Sequence, residues 1–384
     1  TRALLQFMNQ YFGTTIVLGS ATPSIETYNA AINNKIILHE IGHRSTHIPL
    51  PKLEVVDLKV EQKKGNYKQI SETLHQNISE CLRNKEQILI LHNKRGYAHN
   101  LTCTDCGQTI ECPRCSISLT LHKSLQDSFL HCHYCDLKTP IKTSCNNCND
   151  INLKEIGTGI QKILEELNTE FPSAKTIRID SDTTSTKTAH DQLHDTIHNN
   201  EADIILGTQM ISIGLNIPNI QLVGVTNADI ALNMPDFRAS ERAFQLLTQV
   251  SGRAGRQNKQ GKVIIQTYNP YHPVIQAIKN GDIQNFYNQE LHERQEFNYP
   301  PFSKLTKLTY SHNQKAAVDK EVEKITDKLN FLNCKFKSAP ALIEKKHNKF
   351  YHHILLETLK PENIIPQLNL DQNWWIDRDP VSTV

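Results

Sequence analysis

The sequence predicts an α/β protein: a parallel, doubly wound sheet that carries a cysteine-rich insertion and is followed by a small α+β domain. Two observations lead to this prediction. Apolar, β-branched runs alternate with amphipathic segments between residues 70 and 267, as in sheets whose strands are joined by helical crossovers. Four CxxC pairs interrupt this alternation between residues 103 and 148.

Strands are predicted at short apolar runs, and helices where apolar residues recur every three or four positions. The predicted strands are 14–19, 35–38, 53–58, 87–92, 176–180, 203–206, 222–226 and 262–267, and the predicted helices are 70–82, 160–167, 189–197 and 239–251. Thr22 and Pro23 are interpreted as an N-cap and a first helical residue. The lysine-rich stretch 59–68 is interpreted as a solvated linker.

After Pro270 a helix is predicted at 283–294, and a longer one at 316–332 lies among short strands at 304–310, 335–338, 353–357 and 374–377. These elements predict that the whole chain comprises four units: the tail of a first α/β domain (1–58), a second α/β domain (59–101 with 152–269), the insertion (102–151) and the α+β domain (270–384).

Composition excludes some classes of protein but identifies none. The 384 residues are 38% hydrophobic with a net charge of +2, which is ordinary for a globular chain and says little about partners. No run approaches the roughly 20 apolar residues of a membrane span, and no signal peptide is visible. We therefore expect a cytoplasmic protein without a membrane partner, in which any nucleic-acid binding depends on local motifs.

The cysteine pairs predict two structural zinc sites, because each CxxC turn presents two thiolates and two such turns complete a tetrahedral site. The alternatives are redox-active cysteines and an iron–sulfur cluster. A nested pairing is preferred, since a sequential one would force two turns across only residues 107–111. The nested sites are Cys103, Cys106, Cys145 and Cys148 for one ion, and Cys112, Cys115, Cys132 and Cys135 for the other. Cys81 and Cys334 are expected in cores.

Three further motifs suit phosphate chemistry. GSATP (19–23) follows a predicted strand, at the edge where α/β folds bind ligands. In QVSGRAGR (249–256), Gln249, Arg253 and Arg256 would share one helical face if the helix continues, as arginine fingers require. Thr208 follows another strand and could hold a DNA phosphate. Taken alone, GSATP is more often an ordinary strand-to-helix turn, GRAGR is equally consistent with a helix end, and the loop at Thr208 has an ordinary βα loop as its alternative.

Taken in order along the chain, the motifs resemble the primosomal protein N-prime (PriA) family, the superfamily 2 helicases of replication restart. The segments that carry the resemblance are GSATPS (19–24), NKRGYA (93–98), the eight cysteines, IDSDTTS (179–185), GTQM (207–210), PDFRASERAFQLLTQVSGRAGR (235–256), SAPALIEKK (338–346) and DRDP (377–380). The similarity runs essentially the whole chain.

The resemblance implies a 3′-to-5′ DNA helicase in which ATP and Mg²⁺ lie between two RecA-like domains. The resemblance assigns ATP coupling to Ser20, Ala21, Thr22, Gly214 and Asn216. It assigns contact with the triphosphate to Gln249, Arg253 and Arg256, with Arg256 as the arginine finger. It assigns DNA contact to Thr208, Gln209 and Arg95. It further implies a monomer that acts on branched and single-stranded DNA with other primosome proteins and single-stranded DNA-binding protein.

Lys345 and Lys346 form a basic patch beside aromatic residues, which suits single-stranded DNA as well as it suits a solvated hairpin tip.

The sequence departs from that family in three respects. No GxxxxGK[ST] loop and no DEEH-type box occurs, so we expect a C-terminal fragment that does not hydrolyse ATP alone. Ile213 stands where the family usually has Lys, and Asn216 where it has Asp. The competing hypotheses are a non-enzymatic zinc module with remnant helicase motifs, and another superfamily 2 branch, which the eight cysteines disfavour.

Overall fold

Strands and helices alternate along the chain, and the computed structural model describes 2–41, 49–92, 98–103, 110, 113, 119–123, 128–131, 137–141, 143–145, 148–149, 151, 153–179, 195–197, 199, 201–208, 219–232, 236–255, 259–358 and 360–381. The elements of the first part are α1 (Arg2–Phe12), α2 (Ile25–Ile32), β1 (Lys52–Asp57), α3 (Leu58–Lys63), α4 (Glu72–Arg83), β2 (Gln87–Leu91), β3 (Ala98–Cys103), β4 (Thr120–Lys123), β5 (Ser128–His131), β6 (Lys138–Pro140) and β7 (Leu153–Thr158).

The remaining elements are α5 (Ile160–Glu170), β8 (Thr176–Ile179), β9 (Ile204–Gly207), β10 (Ile220–Val225), α6 (Asp229–Leu232), α7 (Ala239–Ser251), β11 (Lys262–Thr267), α8 (Pro273–Asn280), α9 (Ile283–Glu296), β12 (Leu305–His312), α10 (Lys315–Phe331), β13 (Phe336–Lys346), β14 (Lys349–Glu357), α11 (Pro361–Leu368) and β15 (Trp374–Arg378).

A six-stranded sheet in the order β1-β11-β10-β2-β9-β8 organises the α/β part, and all of its pairings are parallel. Its central strand β2 is buried throughout, as a strand covered on both faces must be. Ile88 and Ile90 pack into one core, whereas Leu89 and Leu91 pack into the other. The predicted doubly wound parallel sheet is therefore present.

Helices cover both faces of this sheet. On one face α4 and α5 bury residues such as Leu74 and Ile163, and α4 begins where the Ser71 hydroxyl accepts the Leu74 N–H at 3.2 Å. On the other face α7, α8 and α9 form a larger core that includes Phe244 and Phe286, whose rings stack at 4.2 Å. The larger core is the one that reaches the candidate site.

The C-terminal part is a separate antiparallel sheet in the order β13-β14-β12-β15. Leu308, Ile354 and Trp374 face α10 and α11 and form its core. The opposite face is uncovered along β15, where Trp375 is 72% exposed. In this part of the chain, one antiparallel sheet therefore carries its helices on a single face.

Two small sheets lie between β2 and α5. β3 and β7 pair antiparallel, and β4, β5 and β6 form an antiparallel meander. A minor core that includes Leu101, Leu119 and Leu130 joins the two sheets. Because β3 enters the cysteine block and β7 leaves it, the block is an insertion that returns the chain close to its starting point.

The N-terminal segment differs from the prediction. Residues 14–19 and 35–38 form no strands, and Val17 and Ile37 are 88% and 84% exposed. A parallel strand needs neighbours for its hydrogen bonds, and within the described residues none lies beside these two runs. The predicted helix start is also wrong, because α2 begins at Ile25 with Ser24 as its N-cap.

The predicted domain boundaries also need correction. β1 pairs with β11, so residues 52–57 lie in the second α/β domain rather than in the tail of the first. The stretch 59–68 is not a linker throughout, since α3 occupies its first half and buries Glu61. α8 and α9 pack into the core of the α/β sheet, so the independent C-terminal domain begins near β12 rather than at residue 270. None of the described helices is long and apolar enough to cross a membrane.

Burial in the C-terminal sheet generates a prediction about pH. Burial, helped by the charge of Lys307 and by His352, lowers the pKa of His353 from 6.5 to about 4. Because the folded pKa lies below the unfolded one, the unfolded chain binds the additional proton. Stability should therefore be constant above about pH 6.5 and fall as the pH is lowered towards 4.

Between pH 7 and pH 4, the free energy of unfolding should decrease less in His353→Gln than in the unsubstituted chain. We expect the difference to be roughly 2 kcal/mol, allowing for partial solvent screening. Urea unfolding monitored by tryptophan fluorescence is the suitable measurement, because both tryptophans of the chain, Trp374 and Trp375, lie in this domain. An unchanged acid dependence in His353→Gln would show that His353 does not titrate as described.

Candidate functional site

The segment Ser20–Thr22 forms a tight turn immediately before α2. The Ser20 hydroxyl accepts the Thr22 N–H at 3.0 Å, and the Ser24 hydroxyl accepts the Thr27 N–H at 3.3 Å. Thr22 is only 4% exposed, although the two preceding residues of the turn, Ser20 and Ala21, are exposed. A polar residue buried in this way requires a hydrogen-bond partner from elsewhere in the fold.

That partner is helix α7. The Gln249 side-chain amide donates to the Thr22 hydroxyl at 3.3 Å, and the Gln245 amide donates to the Thr22 carbonyl at 3.4 Å. Two motifs that lie 227 residues apart in sequence are therefore in direct contact. The structure brings together Thr22 and Gln249, which the sequence assigns to coupling and to the triphosphate side.

The predicted helical face of Gln249, Arg253 and Arg256 is wrong for Arg253. α7 ends at Ser251 with Gly252 as its C-cap, and the Arg253 N–H bonds the Val250 carbonyl at 3.0 Å in a turn. Arg253 therefore lies beyond the end of the helix. Arg256 lies outside the described residues.

Two glycines fix the path of the chain after this turn. Gly255 has φ +71°, and its N–H bonds the Ile220 carbonyl at 2.9 Å. A Cβ on Gly255 would lie 2.2 Å from the Gly261 nitrogen and 2.9 Å from the Lys259 carbonyl oxygen. Only glycine allows the two backbone segments to approach so closely, which explains the second glycine of GRAGR.

The segment PDFRASER surrounds the start of α7. The Asp236 carboxylate accepts the Arg238 N–H at 3.0 Å and the Arg242 guanidinium at 3.2 Å. Phe237 stacks on Tyr299 with ring centroids 4.5 Å apart, and the Arg238 guanidinium lies 4.2 Å from the Phe237 ring. Asp236, Phe237, Arg238 and Arg242 thus make different contacts around the same helix terminus.

Glu241, in the PDFRASER segment, forms a buried ion pair with Arg294 of α9. Their nearest side-chain atoms are 2.6 Å apart, and the exposed fractions of the two side chains are 5% and 2%. Glu290 supplies a second carboxylate to the same guanidinium at 3.0 Å. Burial opposes the charged form of Arg294, but Glu241 and Glu290 outweigh it and raise the pKa of Arg294.

Sequence reasoning assigned no role to Glu241, Tyr287 or Arg294. Glu290 and Arg294 are four residues apart on one helix, a spacing that indicates a surface pair, and nothing in it indicates burial. Glu241 lies in the PDFRASER motif, but its partner is 53 residues away. Only the tertiary fold shows that these groups meet.

The other predicted site residues are placed as follows. Thr208 lies directly after β9, is 4% exposed and donates its N–H to the Ile179 carbonyl at 3.3 Å. Lys345 and Lys346 end β13 at a tight turn, and the Lys345 ammonium lies 5.2 Å from the Phe350 ring. The remaining residues lie outside the described part of the chain: Arg95, Gln209, Gly214 and Asn216.

Among the eight cysteines, only Cys145 and Cys148 have described side chains, and the described residues hold no group of three or more potential metal ligands. Cys145 is 2% exposed, Cys148 is exposed, and the Asn149 N–H bonds the Cys145 carbonyl at 3.0 Å. This hydrogen bond brings the residue after Cys148 back to Cys145, which is compatible with a CxxC metal-binding turn. Cys103 is the last residue of β3, and the other five lie outside the described residues.

Family comparisons agree with this geometry. Residues 143–258 match the family model of the helicase conserved C-terminal domain, and residues 112–140 match that of the PriA DNA helicase Cys-rich region (CRR) domain. The chain therefore carries a helicase C-terminal α/β domain together with a cysteine-rich region.

Comparison with individual proteins indicates which helicases the chain is related to. The chain is 44% identical to the replication restart protein PriA of Bacillus subtilis, over 83% of the chain and 39% of that protein. It is 42% identical to that of Synechocystis sp. (81% and 38%) and 34% identical to that of Chlamydia pneumoniae (96% and 51%). The chain is therefore a relative of the PriA proteins, as the motifs predict, and it spans roughly two fifths to one half of their length.

The close approach of the two glycines generates a stability prediction. Gly255→Ala should destabilise the chain by roughly 2–4 kcal/mol, because the methyl group would overlap the Gly261 backbone at an unfavourable φ. Gly252→Ala is the matched control: a Cβ there would meet nothing closer than 3.4 Å, and its φ is −66°.

The control should change stability by less than about 1 kcal/mol. Urea unfolding followed by far-ultraviolet circular dichroism measures both variants. Equal effects of the two substitutions would contradict the geometric argument.

Proposed function

We propose that this chain is the C-terminal part of a longer ATP-dependent 3′-to-5′ DNA helicase that binds branched replication forks and initiates primosome assembly for replication restart. The observation that carries this proposal is the contact of Thr22 with Gln249, found in a chain related to the PriA proteins. In such a motor, ATP and Mg²⁺ lie between two α/β domains. A direct link between a loop of the first domain and the arginine motif of the second is what coupling requires.

Within this proposal, each site group has a chemical task. The turn Ser20–Thr22 senses the state of the nucleotide and transmits it through Gln249 to α7. Arg253 and Arg256 supply positive charge to the transferring phosphoryl group. Gly214 and Asn216 belong to the nucleotide side of the loop after β9, and the missing charge at Asn216 weakens coupling.

DNA contact is proposed at the carboxyl edge of the sheet and on the C-terminal domain. Thr208, Gln209 and Arg95 follow strands that end at that edge. Lys345 and Lys346 end β13 beside Lys349 of β14, and the open face of the C-terminal sheet carries a cavity of about 440 Å³ that Lys349 lines. Its lining offers flat rings and positive charge for a single strand, chiefly from Lys307, Lys349, Tyr351 and Trp375.

Zinc fits the cysteine-rich insertion by donor set and by strand pairing. β3 and β7 are antiparallel and pair Cys103 with Leu153, so the chain enters and leaves the block side by side, and in sequence Cys148 comes shortly before Leu153. β4 and β5 pair Thr120 with His131, which adjoins Cys132. Both pairings support the nested arrangement, in which zinc closes two four-sulfur sites and stabilises the insertion.

Partner recognition is proposed for the same regions. The longer protein would act as a monomer on branched and single-stranded DNA. Other primosome proteins and single-stranded DNA-binding protein would dock on it, the zinc insertion serving protein contact. These partners are the ones that the resemblance to the PriA family implies.

Assays of ATP hydrolysis and DNA unwinding test the proposed helicase activity. The 384-residue chain alone should hydrolyse no ATP above background, whereas the longer protein should show DNA-stimulated hydrolysis and unwind a duplex with a 3′ single-stranded tail. Restoring the charge with Asn216→Asp should raise unwinding by roughly threefold or more. Single-turnover ATPase and strand-separation assays measure both. Absence of DNA-stimulated hydrolysis with either residue at 216 would leave the non-enzymatic zinc module as the function.

Metal analysis tests the insertion. The purified chain should contain about two zinc ions. The double substitution Cys103→Ser with Cys145→Ser should leave about one ion if the pairing is nested, because both cysteines then serve the same site, and none if it is sequential. Cys81→Ser is the control: burial raises the pKa of Cys81 to about 12, so its thiol stays protonated and is a poor ligand. One ion or none in the unsubstituted chain would contradict the two-site proposal.

A further inference from the structure

Helix α9 lies outside every helicase motif, yet it contacts the segment 20–26 directly. The Tyr287 hydroxyl donates to the Pro23 carbonyl at 2.6 Å, and its ring lies 4.5 Å from that of Tyr28. Arg294 donates to the Glu26 carboxylate at 3.3 Å. The burial that surrounds Tyr287 raises the pKa of its hydroxyl, which therefore remains a donor. One face of α9 thus holds the backbone just after the Ser20–Thr22 turn.

Glu241 joins α9 to the same segment through α7. One carboxylate accepts the Ile25 N–H at 3.1 Å, the Gln245 amide at 3.3 Å and the Arg294 guanidinium at 2.6 Å. Gln245 in turn donates to the Thr22 carbonyl. The position of the Glu241 carboxylate therefore determines where the first turn of α2 meets α7, and Arg294 determines the position of that carboxylate.

We infer that Tyr287, Glu241 and Arg294 are positioning residues that hold the Ser20–Thr22 turn against Gln249, so that α9 sets how tightly ATP hydrolysis is coupled to DNA unwinding. This inference rests on the proposed function for its coupling readout. None of the three residues needs to touch nucleotide or DNA. Their effect is transmitted through the Pro23 carbonyl and the Ile25 N–H, one residue and three residues after Thr22.

Tyr287→Phe tests the inference with little risk to folding, because it removes only the hydroxyl and keeps the ring packed on Tyr28 and Phe244. In the longer protein, we expect about three- to tenfold fewer base pairs unwound per ATP hydrolysed, with DNA-stimulated hydrolysis within about twofold of the unsubstituted protein. Tyr268→Phe is the matched control, since the Tyr268 hydroxyl bonds Gln62 and not the segment.

Hydrogen exchange tests the role of Arg294 in the 384-residue chain itself. Glu241→Gln and Glu290→Gln combined with Arg294→Met remove the three buried charges together, so that none remains buried alone. The Glu241→Gln side chain still offers an acceptor to the Ile25 N–H. If Arg294 fixes that acceptor, the Ile25 amide should exchange at least about tenfold faster, while the Leu247 amide inside α7 keeps its protection.

The outcomes separate the inference from the proposed function. An unchanged ratio of base pairs unwound to ATP hydrolysed in Tyr287→Phe, or the same loss in Tyr268→Phe, would overturn the inference, as would unchanged exchange at Ile25. If the charge-free variant loses protection at Leu247 as well, Tyr287→Phe decides the question. If the unsubstituted longer protein hydrolyses no ATP, the motor proposal fails, and exchange at Ile25 still decides whether α9 positions the segment.

Discussion

The buried ion pair of Glu241 with Arg294 is the interaction on which the arrangement of the candidate site depends. A charge removed from water costs several kcal/mol unless paired groups replace its hydration. Arg294 meets that requirement with four acceptors: Glu241, Glu290, Glu26 and the Pro300 carbonyl. Because these acceptors come from α7, α9, α2 and the turn before β12, the guanidinium is satisfied only when all four elements assemble in one arrangement. The pair therefore contributes specificity of assembly more than net stability.

The parallel sheet determines where the rest of the site lies. Leu91 pairs with Gly207 on one side and with Val225 on the other, so β2, β9 and β10 end at the same level. Polar residues follow each of these ends: Thr208, and also His92 and Thr226, whose side chains are 2.8 Å apart. The loops that the motifs assign to DNA and nucleotide therefore begin side by side. Their common edge is a consequence of strand register and not of the motifs themselves.

Sequence pattern predicts an element well when the element's own residues determine it. α7 and β11 have the predicted bounds, because an amphipathic helix and a strand with a β-branched apolar centre are each visible within the chain segment. Residues 14–19 have an equally apolar pattern, but a strand also requires neighbours, and pattern alone does not show whether neighbours are present. The attachment of α8 and α9 to the α/β core was missed for a related reason, since an apolar helix face does not indicate which sheet it will cover. At the site, motif order identified Thr22 and Gln249, whereas the groups that hold them together come from distant parts of the chain.

The spacing within PDFRASER follows from one helix serving three neighbours. Arg238 and Arg242 are one turn apart, and they donate to the carbonyls of Pro380 and Val381, which are adjacent in sequence just after β15. Arg238 also donates to Glu26 at 3.2 Å, so the same side chain reaches the segment after the Ser20–Thr22 turn. Glu241 lies three residues after Arg238, directed at Ile25 and Arg294. The first turn of α7 thus ties the edge strand of the C-terminal sheet to the segment that contacts Gln249. The Arg238 guanidinium is therefore a direct physical link between the chain that follows β15 and Glu26, in the segment just after the Ser20–Thr22 turn of the candidate site.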